Sequence, residues 1–178
     1  MLPTLQKPSA QLALVLLVGG ILTFLFSTGD APAVTRRAAA ERKPMMDVQS
    51  TDLAGKAWKL DDHRGQVVLV SFWATWCPPC RSETPGLVRL ANAYRGKGLE
   101  VVGVSMDDNP DPVRPFVDKF HVPYSVVFPP EDSPLNSAVE ALPTSFLVDK
   151  KGLVAAVYQG AVTETELKAA VDALLREP

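Results

Sequence analysis

The only two cysteines in this chain of 178 residues stand in the tetrapeptide Cys77-Pro78-Pro79-Cys80. Two intervening residues let a disulfide close between them without moving the backbone, so the pair can cycle between dithiol and disulfide. With no third or fourth thiol, neither a disulfide framework nor a four-cysteine zinc site can be built. A mixed zinc site would need two more ligands. The histidines are His63 and His121, both at unsuitable spacings, so no metal is expected. Soft thiolates also hold Cu(I), although no His or Met cluster flanks the pair; a copper-delivery or thiol-holding binding module stays open as the alternative to redox chemistry.

What gives the spacing its chemical meaning is its position in the chain. Residues 66–73 (QVVLVSFW) form a continuous β-branched and aromatic run, the pattern of a central strand buried on both faces. Pro78 and Pro79 suit the first turn of a helix, where a missing N–H costs nothing. Leu87, Leu90, Ala91 and Tyr94 then recur at helical spacing; Pro85 is expected to kink that helix, and Gly96 and Gly98 end it. Cys77 therefore falls at a helix N-terminus, where unpaired N–H groups and the positive end of the helix dipole stabilise a thiolate. Cys80 lies one turn along, in reach of a mixed disulfide formed at Cys77.

The surrounding elements read as follows. Residues 48–53 and 57–60, parted by Gly55, predict a weak hairpin ahead of the central strand. Residues 99–106 (LEVVGVSM) predict a second strand, parallel to the first across a right-handed helical crossover. Residues 113–120 predict a short helix capped by Asp111, and 125–128 a brief strand. Residues 144–148 and 153–158, divided by Lys151-Gly152, predict an antiparallel hairpin. Thr163 and Glu166 form a capping box opening the last helix, which buries Leu167, Ala170, Val171, Leu174 and Leu175. The order βαβ, α, ββα is that of an α/β domain on a mixed sheet. Trp73 is expected in the core, while Trp76 is either exposed beside Cys77 or packed inside. His63 and His121 are expected at the surface.

Residues 12–26 (LALVLLVGGILTFLF) carry no charge. As a helix they would span about 22 Å, a little short of a hydrocarbon core of about 30 Å, and flanking residues bring the segment near spanning length. Residues 1–28 thus read as a signal anchor or a cleaved signal peptide. Residues 29–46, with Pro32 and Pro44 and no apolar periodicity, read as a flexible tether, leaving a domain over 47–178. One basic residue precedes the apolar run and four follow it, which by itself favours a cytoplasmic body, but those four begin well beyond the run. Net charge is −2; removing the five basic and two acidic residues of 1–46 from totals of 18 and 20 leaves 13 and 18, a net of −5. That balance excludes the electrostatic footprint of a nucleic-acid binder.

The segment Ser71-Phe72-Trp73-Ala74-Thr75-Trp76-Cys77-Pro78-Pro79-Cys80-Arg81-Ser82-Glu83-Thr84-Pro85 resembles the active-site stretch of the ResA/TlpA/CcmG-like branch of thioredoxin-fold proteins. Leu142-Pro143-Thr144 and the following Ser145-Phe146-Leu147-Val148-Asp149 resemble that family's cis-proline loop and next strand. The likeness implies a thioredoxin-like fold, a central mixed β-sheet flanked by helices, with an N-terminal β-hairpin extension and an N-terminal membrane anchor. It implies a single-pass protein of the cytoplasmic membrane whose catalytic domain faces the periplasm or outer surface. There it would reduce disulfides in exported proteins of cytochrome c maturation or copper-centre assembly, recharged by a membrane electron donor of the CcdA/DsbD type. No cofactor beyond the Cys77–Cys80 redox disulfide is implied. Carried over, Cys77 is the nucleophile, Cys80 the resolving thiol, Pro143 the cis-proline, and Trp76, Leu142 and Thr144 border the docking surface. Thr144 stands where the CcmG branch has Glu, which points to a more general ResA/TlpA-like role. Ordinary thioredoxins carry an acid six residues before the first cysteine, where this chain has Ser71. Glu83, on the face of Cys80 one turn on, is expected to be partly buried, to have a raised pKa and to take the Cys80 proton instead. A peroxiredoxin pattern, Pro-x-x-x-Thr-x-x-Cys, is missing because Ala74 lies three residues before Cys77.

Overall fold

The computed structural model describes residues 33–130, 133–137 and 139–178. Eight strands form one sheet in the order β1-β8-β7-β4-β5-β6-β2-β3. The strands are β1 (Ala33–Arg36), β2 (Gln49–Asp52), β3 (Ala57–Lys59), β4 (Val67–Trp73), β5 (Leu99–Ser105), β6 (Ser125–Phe128), β7 (Thr144–Val148) and β8 (Val154–Gln159). The helices are α1 (Pro78–Tyr94), α2 (Val113–Phe120) and α3 (Glu164–Arg176). β4, β5 and β6 are parallel neighbours, while β7 runs antiparallel to β4 and every remaining pairing is antiparallel. This is a central mixed sheet flanked by helices, the thioredoxin fold.

All seven residues of β4 are buried, because the strand is covered on both faces. Val67 and Leu69 point to the face where α1 supplies Leu87, Leu90 and Tyr94 and α3 supplies Leu167, Val171 and Leu174. Val113 and Phe116 of α2 close the same side against Trp73 and Val126. Val68, Val70 and Phe72 point the other way, onto Met45, Val48, Trp58, Leu60 and Leu135. Gly103 of β5 leaves room for the Trp73 indole: a Cβ there would lie 2.7 Å from Trp73 Nε1. The β2–β3 hairpin turns at Gly55 (φ 83°), and β2 also pairs with β6, so it continues the main sheet.

Three expectations change. The tether reading fails from residue 33 onward, since Ala33–Arg36 is an edge strand on β8, Pro44 bridges to Leu153, and Met45 is buried. Backbone pairing and the ion pairs of Arg42 hold this segment, and neither leaves a periodic apolar pattern. Among the described residues, 33–46 therefore pack onto the same sheet as the rest of the body. Asp111 is not the cap of α2: that place is taken by Pro112, without a side-chain hydrogen bond. His63 is half-buried, stacked on Trp58 at a centroid distance of 4.9 Å. Pro85 sits inside α1, which continues through it. The expected anchor or signal peptide, 1–28, lies outside the described residues, and no helix among the described residues is long and apolar enough to cross a membrane.

Candidate active site

β4 ends at Trp73 and the chain turns through residues 74–77 into α1, whose N-cap is Cys77. Pro78 and Pro79 open the helix at positions where no N–H is needed. Cys77 Sγ is bonded to Cys80 Sγ and accepts the Cys80 backbone N–H at 3.3 Å, one of the donors that a helix start leaves free. Both cysteines are buried, at 3% and 2% exposure, but what lies beside Cys77 is open. A groove of about 460 Å³ runs between Trp76, Cys77, Pro78 and Pro79 on one wall and Met106 and residues 139–142 on the other. Trp76 is the most exposed large hydrophobic residue described, at 67%. Trp73 is buried against Phe116, as expected.

The loop on the opposite wall contains the cis peptide Leu142–Pro143. Leu142 lines the groove. Thr144 does not: it is buried, and its hydroxyl donates to the Ala141 carbonyl at 2.8 Å. Its contribution is the shape of the loop, which Gly160 also braces by donating its N–H to the Pro143 carbonyl at 2.8 Å.

Glu83 lies one turn beyond Cys80 and is 7% exposed. Burial pushes its carboxyl up to about 7, and the only group opposing this is the Val162 backbone N–H, which donates to Oε1 at 3.1 Å. Its charge adds to burial in raising the Tyr124 hydroxyl. Ser71, at the position where an acid was absent from the sequence, faces Ser145 across the β4–β7 pairing, and neither buried hydroxyl has a partner.

Sequence reasoning missed Asp107. It follows the C-terminal end of β5, the edge of an α/β sheet where sites gather, and that placement was the available signal. The carboxylate is buried and accepts from the Thr75 backbone N–H at 3.0 Å, the Thr75 hydroxyl at 2.5 Å and the Ser105 hydroxyl at 2.9 Å. From the other side Arg81 donates to the Thr75 carbonyl at 3.4 Å. Among the described residues no group of three or more His, Cys, Asp or Glu is arranged to hold a metal. The disulfide itself is the redox centre.

A buried strand that delivers a cysteine pair to a helix start, under a cis-proline loop, defines a thiol–disulfide oxidoreductase of the thioredoxin fold. The sequence profile of the AhpC/TSA family matches residues 42–157, and the chain belongs to that family, within its ResA/DsbE-like thioredoxin-fold members. It is 34% identical over 134 residues to the thiol-disulfide oxidoreductase ResA of Geobacillus thermodenitrificans, covering 75% of this chain and 77% of that one. It is 30% identical over 171 residues to the thioredoxin-like protein YneN of Bacillus subtilis, covering 94% and 98%. The crystal structure of a secreted thiol-disulfide isomerase from Corynebacterium glutamicum superposes with a TM-score of 0.75 at 26% identity, over 85% of this chain and 97% of that one.

Proposed function

We propose that this enzyme is an exported, membrane-tethered reductant of disulfides in other exported proteins. The apolar run at residues 12–26 supports the tether, and the likeness to ResA supports the direction of electron flow. The observation that carries the reading is the Cys77–Cys80 disulfide at the start of α1, opening onto an apolar groove beside an exposed Trp76.

In the proposed cycle the Cys77 thiolate attacks one sulfur of a partner disulfide, and the partner's other sulfur leaves as a thiolate. Cys80 then loses its proton to Glu83 and attacks the Cys77 sulfur, expelling the second partner thiolate. The partner gains two electrons, and the enzyme ends in the disulfide form seen here. A carboxyl poised near 7 suits that proton transfer, because both of its forms are populated at the working pH. Trp76 and Leu142 would dock the polypeptide flanking the partner cysteine, with Pro143 facing the disulfide and Thr144 shaping the loop. A membrane dithiol donor of the CcdA/DsbD type would restore the reduced state.

The test is the midpoint potential of the Cys77–Cys80 pair in the full chain. A value below about −230 mV, toward the thioredoxin end of the scale, supports a reductant. A value near about −120 mV would reverse the direction of electron flow.

A further inference from the structure

We propose that Asp107 is the positioning residue of the nucleophile: its carboxylate clamps the turn that carries Cys77, and its negative charge opposes the charge on the Cys77 sulfur. The inference rests on the reading of Cys77 as the attacking thiol.

The geometry has two parts. Asp107 takes up both polar hydrogens of Thr75, and the Met106 N–H donates to the Trp73 carbonyl at 2.8 Å, so the strand ends of β4 and β5 and the turn between Trp73 and Cys77 form one hydrogen-bonded block. The Cys77 N–H completes the turn by donating to the Ala74 carbonyl at 3.2 Å. Cys77 is two Cα steps from Thr75, which puts the carboxylate within about 10 Å of it.

The second part is charge. The donors to Asp107 are backbone N–H and hydroxyl groups, and among the described residues it has no ion-pair partner. The positive end of α1 favours a Cys77 thiolate; a buried, uncompensated carboxylate nearby works against it. The other charged side chains around this turn are Arg81, which reaches the Thr75 carbonyl, Glu140 on the groove wall, and Glu83, one turn beyond Cys80 on α1. A thiolate held back in this way leaves the reduced form less stabilised, which lowers the potential and suits a reductant.

The experiment is the rate of iodoacetamide alkylation of the reduced full chain as a function of pH, with the modified cysteine identified by mass spectrometry, together with the midpoint potential against a dithiothreitol buffer. Asp107→Asn keeps the shape and removes the charge. It should move the Cys77 alkylation midpoint down by about one pH unit, a tenfold gain in thiolate below that midpoint, and raise the potential measured at a pH above the parent's midpoint by about 30 mV. An unchanged profile and potential overturn the proposal, whatever happens to stability. The double variant Thr75→Val/Ser105→Ala keeps the charge and weakens the clamp, so its midpoint must stay at or above that of the parent. A fall there would mean that any loosening of the turn exposes the thiolate, which also overturns it, and this arm decides the matter if Asp107→Asn does not fold. If Cys80 rather than Cys77 is the cysteine modified first, the proposed catalytic cycle itself fails, an outcome distinct from an unshifted Cys77.

Discussion

The two ends of the central sheet treat buried charge in opposite ways. At the end away from the disulfide, Arg42 donates to Glu177 at 2.6 and 2.8 Å and to Asp149 at 3.0 Å, joining the N-terminal segment to the C-terminus. Lys150 adds its ammonium to the Leu175 and Glu177 carbonyls, where α3 has run out of N–H partners. Arg42 holds the Glu177 carboxyl below the usual carboxylate range. At the disulfide end the two buried carboxylates, Glu83 and Asp107, have only neutral donors. One end is neutralised and contributes stability. The other leaves two buried carboxyl groups without an ion pair, which costs stability and, on the proposals above, tunes the two thiols.

That contrast can be broken most decisively at the sulfurs. Cys80→Ser should cut disulfide turnover to background while leaving Cys77 able to attack, so a covalent complex with a partner protein accumulates on non-reducing gels. Free turnover without Cys80 would mean the pair does not act as attacker and resolver. Next in size is Glu83. Its carboxyl is raised from 4.5 to about 7 in the folded protein, so folding favours the protonated form. The associated stability is fully present below about pH 4.5 and is lost as pH rises through about 7, by up to about 3 kcal/mol. Glu83→Gln has no such loss, so urea unfolding at pH 5 and pH 8 should show its stability relative to the parent rising by that order. An equal difference at both pH values would show that the carboxyl is not strained by burial.

At the opposite end, Arg42→Ala should cost about 2 kcal/mol at neutral pH, below the range for a fully buried pair because Glu177 remains partly exposed. Its alkylation profile and potential should match the parent's, and a shifted potential would contradict the independence of the two ends. Smallest in stability is Trp76→Ala, expected within about 0.5 kcal/mol of the parent because the indole is solvent-exposed. Reduction of a folded protein substrate should nonetheless slow by about tenfold in kcat/KM, while that of a small disulfide does not.

The reactive end was the more legible one in the sequence. An eight-residue apolar run, a helix stripe and a cysteine pair at their junction are local signals, and they placed β4, α1 and the disulfide where the structure has them. Glu83 was legible through its distance from Cys80 along one helix face. Asp107 was not, because its partners Thr75 and Ser105 become partners only when β4 and β5 pair. The same holds for Arg42, 107 residues from Asp149 and 135 from Glu177 in sequence. Thr144 was placed on the right loop but turned inward, since a strand's first residue can face either side and nothing nearby in sequence decides which.

The edge strand β1 has a consequence for how copies of this chain meet. It pairs with β8 over Ala33–Arg36, so the outer row of β8 N–H and C=O groups is occupied from within the same molecule. The far edge, β3, has only three residues, follows Lys56 and ends in Lys59, a length and charge that discourage strand addition. Proteolysis between Arg37 and Val48 would strip β8 of its cover. The remaining body would present six residues of unprotected strand, Val154–Gln159, to the same strand of another copy, and self-association into dimers or larger aggregates would follow.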